Sequence, residues 1–167
     1  MLAYERILER LVARGVRQMT PEDPNYVERV RASFGRQRAM ALLGAQLRTV
    51  DPGLTEIVLP FREELSQQHG FIHAGIVTAI ADSACGYAAL SLMPPGVGVL
   101  TIEFKVNLLN PAAGVRLVAR GQVVKPGRTI MVCTADIIAE QEDGSARPVA
   151  LMQATMMVVR ERSGITD

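Results

Sequence analysis

The sequence predicts an α+β fold in which an antiparallel sheet wraps around one long central helix, with an N-terminal helical extension in front of it. Residues 71–92 are apolar on nearly every side of the expected helix, which is typical of a helix buried in the middle of a domain. Such a helix needs a sheet that curls around it, and four strand-like segments follow it. With 167 residues and 49% hydrophobic content, the chain can bury a sizeable core.

The extension precedes the sheet. Apolar residues recur at helical spacing over 4–16, and a second helical segment is expected over 26–43. Asn25 suits the N-cap of that segment, and Gly35 is a candidate position for a bend. We therefore divide the chain into an N-terminal helical extension, residues 1–43, and a sheet-and-helix domain, residues 44–162.

The strands are predicted from turn signals and from alternation of apolar and polar residues. Segments 45–50 and 54–61 flank a Pro-Gly turn and predict a hairpin. Four later segments are expected to form an antiparallel meander: 102–108, 115–123, 129–140 and 148–159.

The composition narrows the class of function. The formal net charge of +1 gives no overall field that would attract nucleic acid or an anionic membrane. Cys85 and Cys133 form no CxxC pair, suit a reducing cytoplasm, and are expected to be small buried hydrophobes. We expect no metal and no cofactor, because the two histidines and two cysteines match no common zinc spacing.

Membrane insertion and export are not expected either. Segment 70–102 is poor in charge, and its first half, of about 20 residues, is long enough to cross a bilayer. An ionisable group would lie at the centre of that half, so we interpret it as a buried core helix. Residues 1–17 are charged throughout and lack the apolar run of a signal peptide.

Asp82 is the main candidate for chemistry. A carboxylate within an apolar helix is costly to bury unless it is paired or hydrogen-bonded. One reading is structural, with the carboxylate bonded to Ser83, to Thr78 or to the backbone of a neighbouring strand. The other is functional, with Asp82 as a general base or a nucleophile facing a cleft.

The predicted start of the central helix is the second candidate. Free N–H groups and the positive end of the helix dipole can stabilise the oxyanion that forms when water attacks a thioester. His73, Ala74 and Gly75 lie there, and the small residues would let a substrate approach the backbone. The alternative is that the glycines only permit the turn into the helix.

These residues carry a family resemblance. The segment from Gln67 to Gly75, read with Asp82, resembles the signature of PaaI-type (phenylacetic-acid-degradation type) hotdog thioesterases. That pattern is an amide residue, a Gly three positions on, His-Gly-Gly, and an Asp nine positions past the His. Gln67 stands where the family usually has Asn, and Ala74 replaces the first Gly after His73. Residues 100–107 resemble the family's third strand, and Gly127-Arg128 resembles a later recurring pair.

The resemblance implies a hotdog acyl-CoA thioesterase whose site forms between two subunits of a homodimer, or of a homotetramer built from such dimers. Gln67 and the N–H of Ala74 would polarise the thioester carbonyl, and His73 would orient the loop. Asp82 of the other subunit would activate water or attack directly, with Thr101 positioning that water or the carboxylate.

Substrate-binding roles are expected for Gly75, Thr101, Lys125, Gly127 and Arg128. Arg and Lys side chains suit the phosphates of CoA, although solvated turn charges explain Lys125 and Arg128 equally well. Two other functions stay open: a hotdog hydratase or dehydratase acting on enoyl or hydroxyacyl thioesters, and a non-catalytic acyl-CoA-binding module.

Overall fold

The computed structural model describes residues 19–160 together with Arg162, Gly164 and Ile165. Its helices are α1 (Tyr26–Arg36), α2 (Arg38–Leu43) and α3 (Ala74–Leu90), with a short 3-10 turn at Glu63–Leu65. The helix predicted over 4–16 lies outside the described residues. No helix in the described part of the chain is long and apolar enough to cross a bilayer.

Six antiparallel strands of the described residues form one sheet. They are β1 (Gln46–Asp51), β2 (Leu54–Pro60), β3 (Gly98–Leu108), β4 (Arg116–Lys125), β5 (Ile130–Glu140) and β6 (Ala146–Val159). Their order across the sheet is β1-β2-β4-β5-β6-β3. The predicted hairpin is β1-β2, and the predicted α+β architecture with one long helix against the sheet is confirmed.

The predicted four-strand meander is wrong for its first strand. Strands β4, β5 and β6 are consecutive neighbours, but β3 pairs with β6, from Gly98 opposite Val159 to Leu108 opposite Ala150. Alternation along a strand indicates which face each side chain occupies, but it does not indicate which strand lies beside it. Within the described residues, β3 and β1 are therefore the two edges of the sheet.

Helix α3 packs very closely on the sheet because small residues meet at the contact. Ala81, Ala84 and Ala88 are fully buried. A Cβ atom at Gly121 of β4 would overlap the backbone of Ala84, so only glycine fits there. The hydroxyl of Thr55 on β2 donates to the carbonyl oxygen of Ala84 at 2.7 Å, which ties the helix to the sheet at the same level.

The break in the second helical segment falls at Gln37, so the predicted bend at Gly35 is wrong. Gln37 is extended, with φ −78° and ψ 92°, and its N–H donates to the carbonyl of Phe34 at 3.0 Å. Nothing in Gly35 itself forces a break, since a glycine can also adopt helical dihedrals. Asn25 occupies the N-cap position as predicted, but its side chain makes no capping hydrogen bond.

Candidate active site

Helix α3 begins at Ala74, three residues later than predicted, because His73 is extended and acts as its N-cap. The Nδ1 atom of His73 accepts the N–H of Gly75 at 2.9 Å, and the N–H of His73 donates to the carbonyl of Leu65 at 2.9 Å. The N–H of Ala74 donates to no acceptor among the described residues, which leaves it available at the positive end of the helix.

Gln67 lies beside this helix start in a tight backbone turn. Its N–H donates to the carbonyl of Phe71 at 2.8 Å, and its carbonyl accepts the N–H of Gly70 at 2.9 Å. Its side-chain Oε1 accepts the N–H of His69 at 2.6 Å, and no described residue accepts a hydrogen bond from its Nε2. The side chain thus keeps a donor free next to Ala74.

Gln67 and Ala74 line the same cavity, of about 370 Å³, which we call the Gln67 cavity. Its other lining residues are mostly apolar: Phe71, Ile72, Val77, Leu108, Leu109, Asn110, Pro111, Ala112 and Val149. An apolar cavity with a few hydrogen-bond donors is typical of a small-molecule site.

Asp82 is half-buried on α3, and its Oδ1 accepts the hydroxyl of Thr101 on β3 at 2.7 Å. The two helix partners considered from the sequence make other bonds. The hydroxyl of Thr78 donates to the carbonyl of Ala74 at 2.9 Å, and the hydroxyl of Ser83 accepts from the Nε2 of Gln37 at 3.3 Å. The carboxylate is therefore held by a strand side chain and stays partly open to solvent.

A second cavity, of about 430 Å³, surrounds the carboxylate, and we call it the Asp82 cavity. Its volume falls in the range of roughly 300–1,000 Å³ that is usual for ligand sites. Its lining residues come from the α1–α2 segment, α3, β3 and the C-terminal segment: Ser33, Gln37, Asp82, Ser83, Gly86, Tyr87, Gly98, Val99, Leu100, Thr101, Gly164 and Ile165.

The two cavities of one chain do not form a single site. Asp82 lies eight residues beyond Ala74 on the same helix, which is about 12 Å along the axis at 1.5 Å per residue. A reacting carbonyl has to lie about 3 Å from its oxyanion donors and within similar reach of the attacking group. Ala74 and Asp82 of one chain are too far apart to act on the same carbonyl.

Three predicted substrate-binding residues lie elsewhere in the single chain. Lys125 ends β4, and Gly127 and Arg128 follow it in the turn to β5. Gly127 and Arg128 line a separate cavity of about 400 Å³, and none of the three lines the Gln67 or Asp82 cavity. Packing explains why residue 127 is glycine, because a Cβ atom at Gly127 would overlap the carbonyl oxygen of Ile130.

Sequence reasoning missed the contribution of the α1–α2 segment to the Asp82 cavity. Ser33 and Gln37 line it, although both belong to the predicted N-terminal extension. The only signal in the sequence was a pair of polar residues four positions apart on a helical pattern. That spacing places them on one face of a helix but does not indicate what the face covers.

The two thiols are buried and lie outside both cavities. Burial raises the pKa of the Cys133 thiol to about 12 and raises that of Cys85 further above its usual range. Neither is suited to act as a nucleophile near neutral pH. Within the described residues, no cluster of three or more His, Cys, Asp or Glu side chains could hold a metal ion.

Comparison with known proteins gives a consistent assignment. The pattern of the thioesterase superfamily matches residues 69–146, a span that contains Asp82 and begins just after Gln67. A solved thioesterase family protein from Silicibacter pomeroyi is 54% identical, with a TM-score of 0.79, and the match covers 81% of this chain and 98% of the Silicibacter chain. The E. coli PaaI protein of the phenylacetic acid degradation operon shares the fold, with a TM-score of 0.71 at 22% identity. The match covers 85% of this chain and 96% of the PaaI chain.

Two sequence relatives carry hydrolase names. A Halobacterium salinarum protein named as an esterase is 30% identical over 129 residues, which is 73% of this chain and 85% of the relative. The 1,4-dihydroxy-2-naphthoyl-CoA hydrolase of Listeria monocytogenes is 22% identical over 120 residues, 72% of this chain and 94% of its own. The predicted resemblance to PaaI-type hotdog thioesterases and the predicted class of enzyme, a thioester hydrolase, are confirmed. The chain belongs to the thioesterase superfamily.

Proposed function

We propose that this protein hydrolyses acyl-CoA thioesters to the free acid and CoA, with Asp82 as the catalytic carboxylate. The observation that supports this most is the placement of Asp82, half-buried in a ligand-sized cavity and fixed by the Thr101 hydroxyl at 2.7 Å. The Listeria relative, whose name identifies an acyl-CoA substrate, supports CoA as the thiol.

A complete site requires a second copy of the chain. The edge strand β3 exposes apolar side chains, with 38–55% of each accessible: Leu100, Ile102, Phe104 and Leu108. An unpaired apolar edge of this kind is suited to pairing with another strand. Two-fold antiparallel pairing of β3 with its copy would place the Thr101 end of one strand against the Leu108 end of the other.

That pairing would join the two cavities. Leu100 and Thr101 line the Asp82 cavity, whereas Leu108 lines the Gln67 cavity. The Asp82 cavity of one copy would therefore open toward the Gln67 cavity of the other, and a homodimer would hold two such sites. A homotetramer would be a pair of these dimers and would need no change in the site.

In the mechanism we propose, the thioester carbonyl accepts hydrogen bonds from the N–H of Ala74 and the Nε2 of Gln67. Both are free donors beside the helix N-terminus, and they stabilise the oxyanion as it forms. His73 acts as a positioning residue, because its Nδ1 accepts the Gly75 N–H and fixes the turn that presents Ala74.

Asp82 can attack in two ways. As a general base it takes a proton from water, whose oxygen bonds to the carbonyl carbon before the C–S bond breaks and the thiolate takes up a proton. As a nucleophile its carboxylate oxygen bonds to the carbonyl carbon, the C–S bond breaks, and CoA leaves as the thiolate, which takes up a proton; water then hydrolyses the resulting mixed anhydride to the free acid and Asp82. Single-turnover hydrolysis in ¹⁸O-labelled water detects the nucleophilic route when water attacks the side-chain carbonyl of the anhydride, because label then stays in Asp82, whereas general base catalysis puts it only in the released acid.

The exposed side chains of Lys125 and Arg128, beside Gly127, are proposed to bind the phosphates of CoA at the mouth of the site in the assembled dimer. Gly75 allows the pantetheine arm to approach the helix start. The buried free thiols suit a reducing cytoplasm, where we place the reaction, and we expect no nucleic-acid or membrane partner.

A thiol-release assay on a panel of acyl-CoAs tests this function. We expect each accepted substrate to release one CoA thiol per acid formed. A hydratase would change the acyl group without releasing thiol. Tight acyl-CoA binding without thiol release would show a binding module and overturn the proposal.

A further inference from the structure

The Asp82 cavity has a wall that the thioesterase superfamily match does not include. Ser33 and Gln37 of the α1–α2 segment line this cavity, while the matched span covers residues 69–146. The wall therefore lies in the N-terminal segment, outside the matched span, and its chemistry differs from that of the apolar Gln67 cavity.

Gln37 is held in place at this wall. Its backbone N–H donates to Phe34, and its carbonyl accepts the N–H groups of Met40 at 3.1 Å and Ala41 at 3.2 Å. Its Nε2 donates to the hydroxyl of Ser83, the residue after Asp82. Its Oε1 is buried and has no hydrogen-bond partner among the described residues. A buried acceptor without a donor is unfavourable, so a purely structural role would be served better by an apolar side chain.

The helix that presents this wall is fixed to the rest of the fold. The guanidinium of Arg29 donates to the carbonyls of Leu90 at 3.2 Å and Pro94 at 3.1 Å, at the C-terminal end of α3. The ring of Phe34 packs edge-on against that of Tyr87 with centroids 5.5 Å apart. Contacts at both ends make α1 a rigid boundary of the cavity.

We propose that Gln37, with Ser33, forms the polar end wall of the acyl pocket and limits the length of unbranched acyl chain that the enzyme accepts. This rests on the proposed function, in which the carbonyl lies near Asp82. Gly86 lies one turn beyond Asp82 on α3 and lines the same cavity as Ser33 and Gln37. A methylene pressed against the Ser33 hydroxyl at this wall would desolvate a polar group and give it no partner.

The test compares kcat/KM over a series of straight-chain acyl-CoAs, from acetyl to dodecanoyl, for the wild-type chain and three variants. Gln37→Ala removes the wall, and we expect activity to extend to longer acyl chains. For each methylene that newly fits, kcat/KM should rise by about fourfold, the factor that corresponds to about 0.8 kcal/mol per buried CH₂. Ser33→Leu narrows the pocket and should shift the profile to shorter chains.

The matched control is Gln153→Leu. Gln153 is exposed on β6, between the buried Met152 and Ala154, and should leave the profile unchanged. Thermal unfolding is measured for each variant, and Ser33→Leu decides the question if Gln37→Ala does not fold. Wild-type chain-length profiles in folded Gln37→Ala and Ser33→Leu, with hydrolysis intact, would overturn this inference alone. No thiol release by the wild-type chain from any straight-chain acyl-CoA, with release from other acyl-CoAs, would also overturn this inference alone. No release from any acyl-CoA would overturn the proposed function and this inference with it.

Discussion

Replacing Asp82 by Asn changes the chemistry of the site while preserving its shape. The amide has the size of the carboxylate, and its oxygen can still accept the Thr101 hydroxyl that now lies 2.7 Å from Oδ1. What is lost is the negative charge and the ability to take up a proton or attack a carbonyl. The variant therefore separates catalysis from folding.

The expected effect on turnover is large and the effect on stability small. General base catalysis contributes about 10²–10⁴-fold, so kcat should fall by that factor. For stability, a hydrogen bond to a charged group is worth about 1 kcal/mol more than one between neutral groups, and the variant loses this difference. It also removes the cost of partly burying a charge, which acts in the opposite direction. A net change of up to about 1 kcal/mol corresponds to roughly 2–4 °C in Tm for a chain of this size.

The assay is thiol release from the best acyl-CoA of the panel at saturating concentration, with Tm measured on the same preparation. Gln153→Asn is a matched control, since it changes an exposed side chain that lines neither cavity. Activity of the Asp82→Asn variant within tenfold of the wild-type value would refute the assignment of Asp82. A loss of activity accompanied by a large fall in Tm would instead indicate a structural role.

Two further predictions concern the fold. Gly121→Ala should lower the free energy of unfolding by about 1–3 kcal/mol, because the new Cβ overlaps the Ala84 backbone. Thermal or denaturant unfolding measures this change, and a variant as stable as the wild type would contradict the packing described. Burial raises the pKa of the Cys133 thiol to about 12 and also raises the pKa of the Cys85 thiol well above its usual range. Because the unfolded thiols ionise near their usual pKa of about 8.5, the native state binds more protons above that pH, so stability should fall as pH rises further. The double variant Cys85→Ala with Cys133→Ala should lose less stability as the pH rises. The free energy of unfolding is measured by denaturant unfolding from about pH 8 to 10, and a decrease as steep as that of the wild type would contradict the prediction.

Much of the fold could be predicted from the sequence because it depends on local patterns. Apolar residues all round α3 indicated a buried helix, and alternation with turn signals indicated the strands. The partner of β3 could not be predicted in this way, since strand pairing depends on how the whole chain packs. The break at Gln37 was also missed, because an extended residue between two helices leaves no Gly or Pro signal.

The candidate site was predicted only as separate pieces. The spacing from Gln67 to Asp82 identified the residues through a family resemblance, and the structure places Gln67 with Ala74 and Asp82 with Thr101. The sequence could not show that these pairs line different cavities of one chain. It also could not show that Gln37 reaches the Asp82 cavity, because that contact joins residues 46 positions apart, Gln37 and Ser83.

The central claim, that two copies of the chain build each site, is tested most directly by complementation between two inactive variants. Asp82→Asn and Gln67→Ala chains are co-expressed with different tags, and the mixed dimers are purified. If Asp82 of one copy works with Gln67 of the other, one site of each mixed dimer is intact, and thiol release should reach about half of the wild-type value, well above either parent dimer. Mixed dimers no more active than the parent variants would contradict a site shared between subunits.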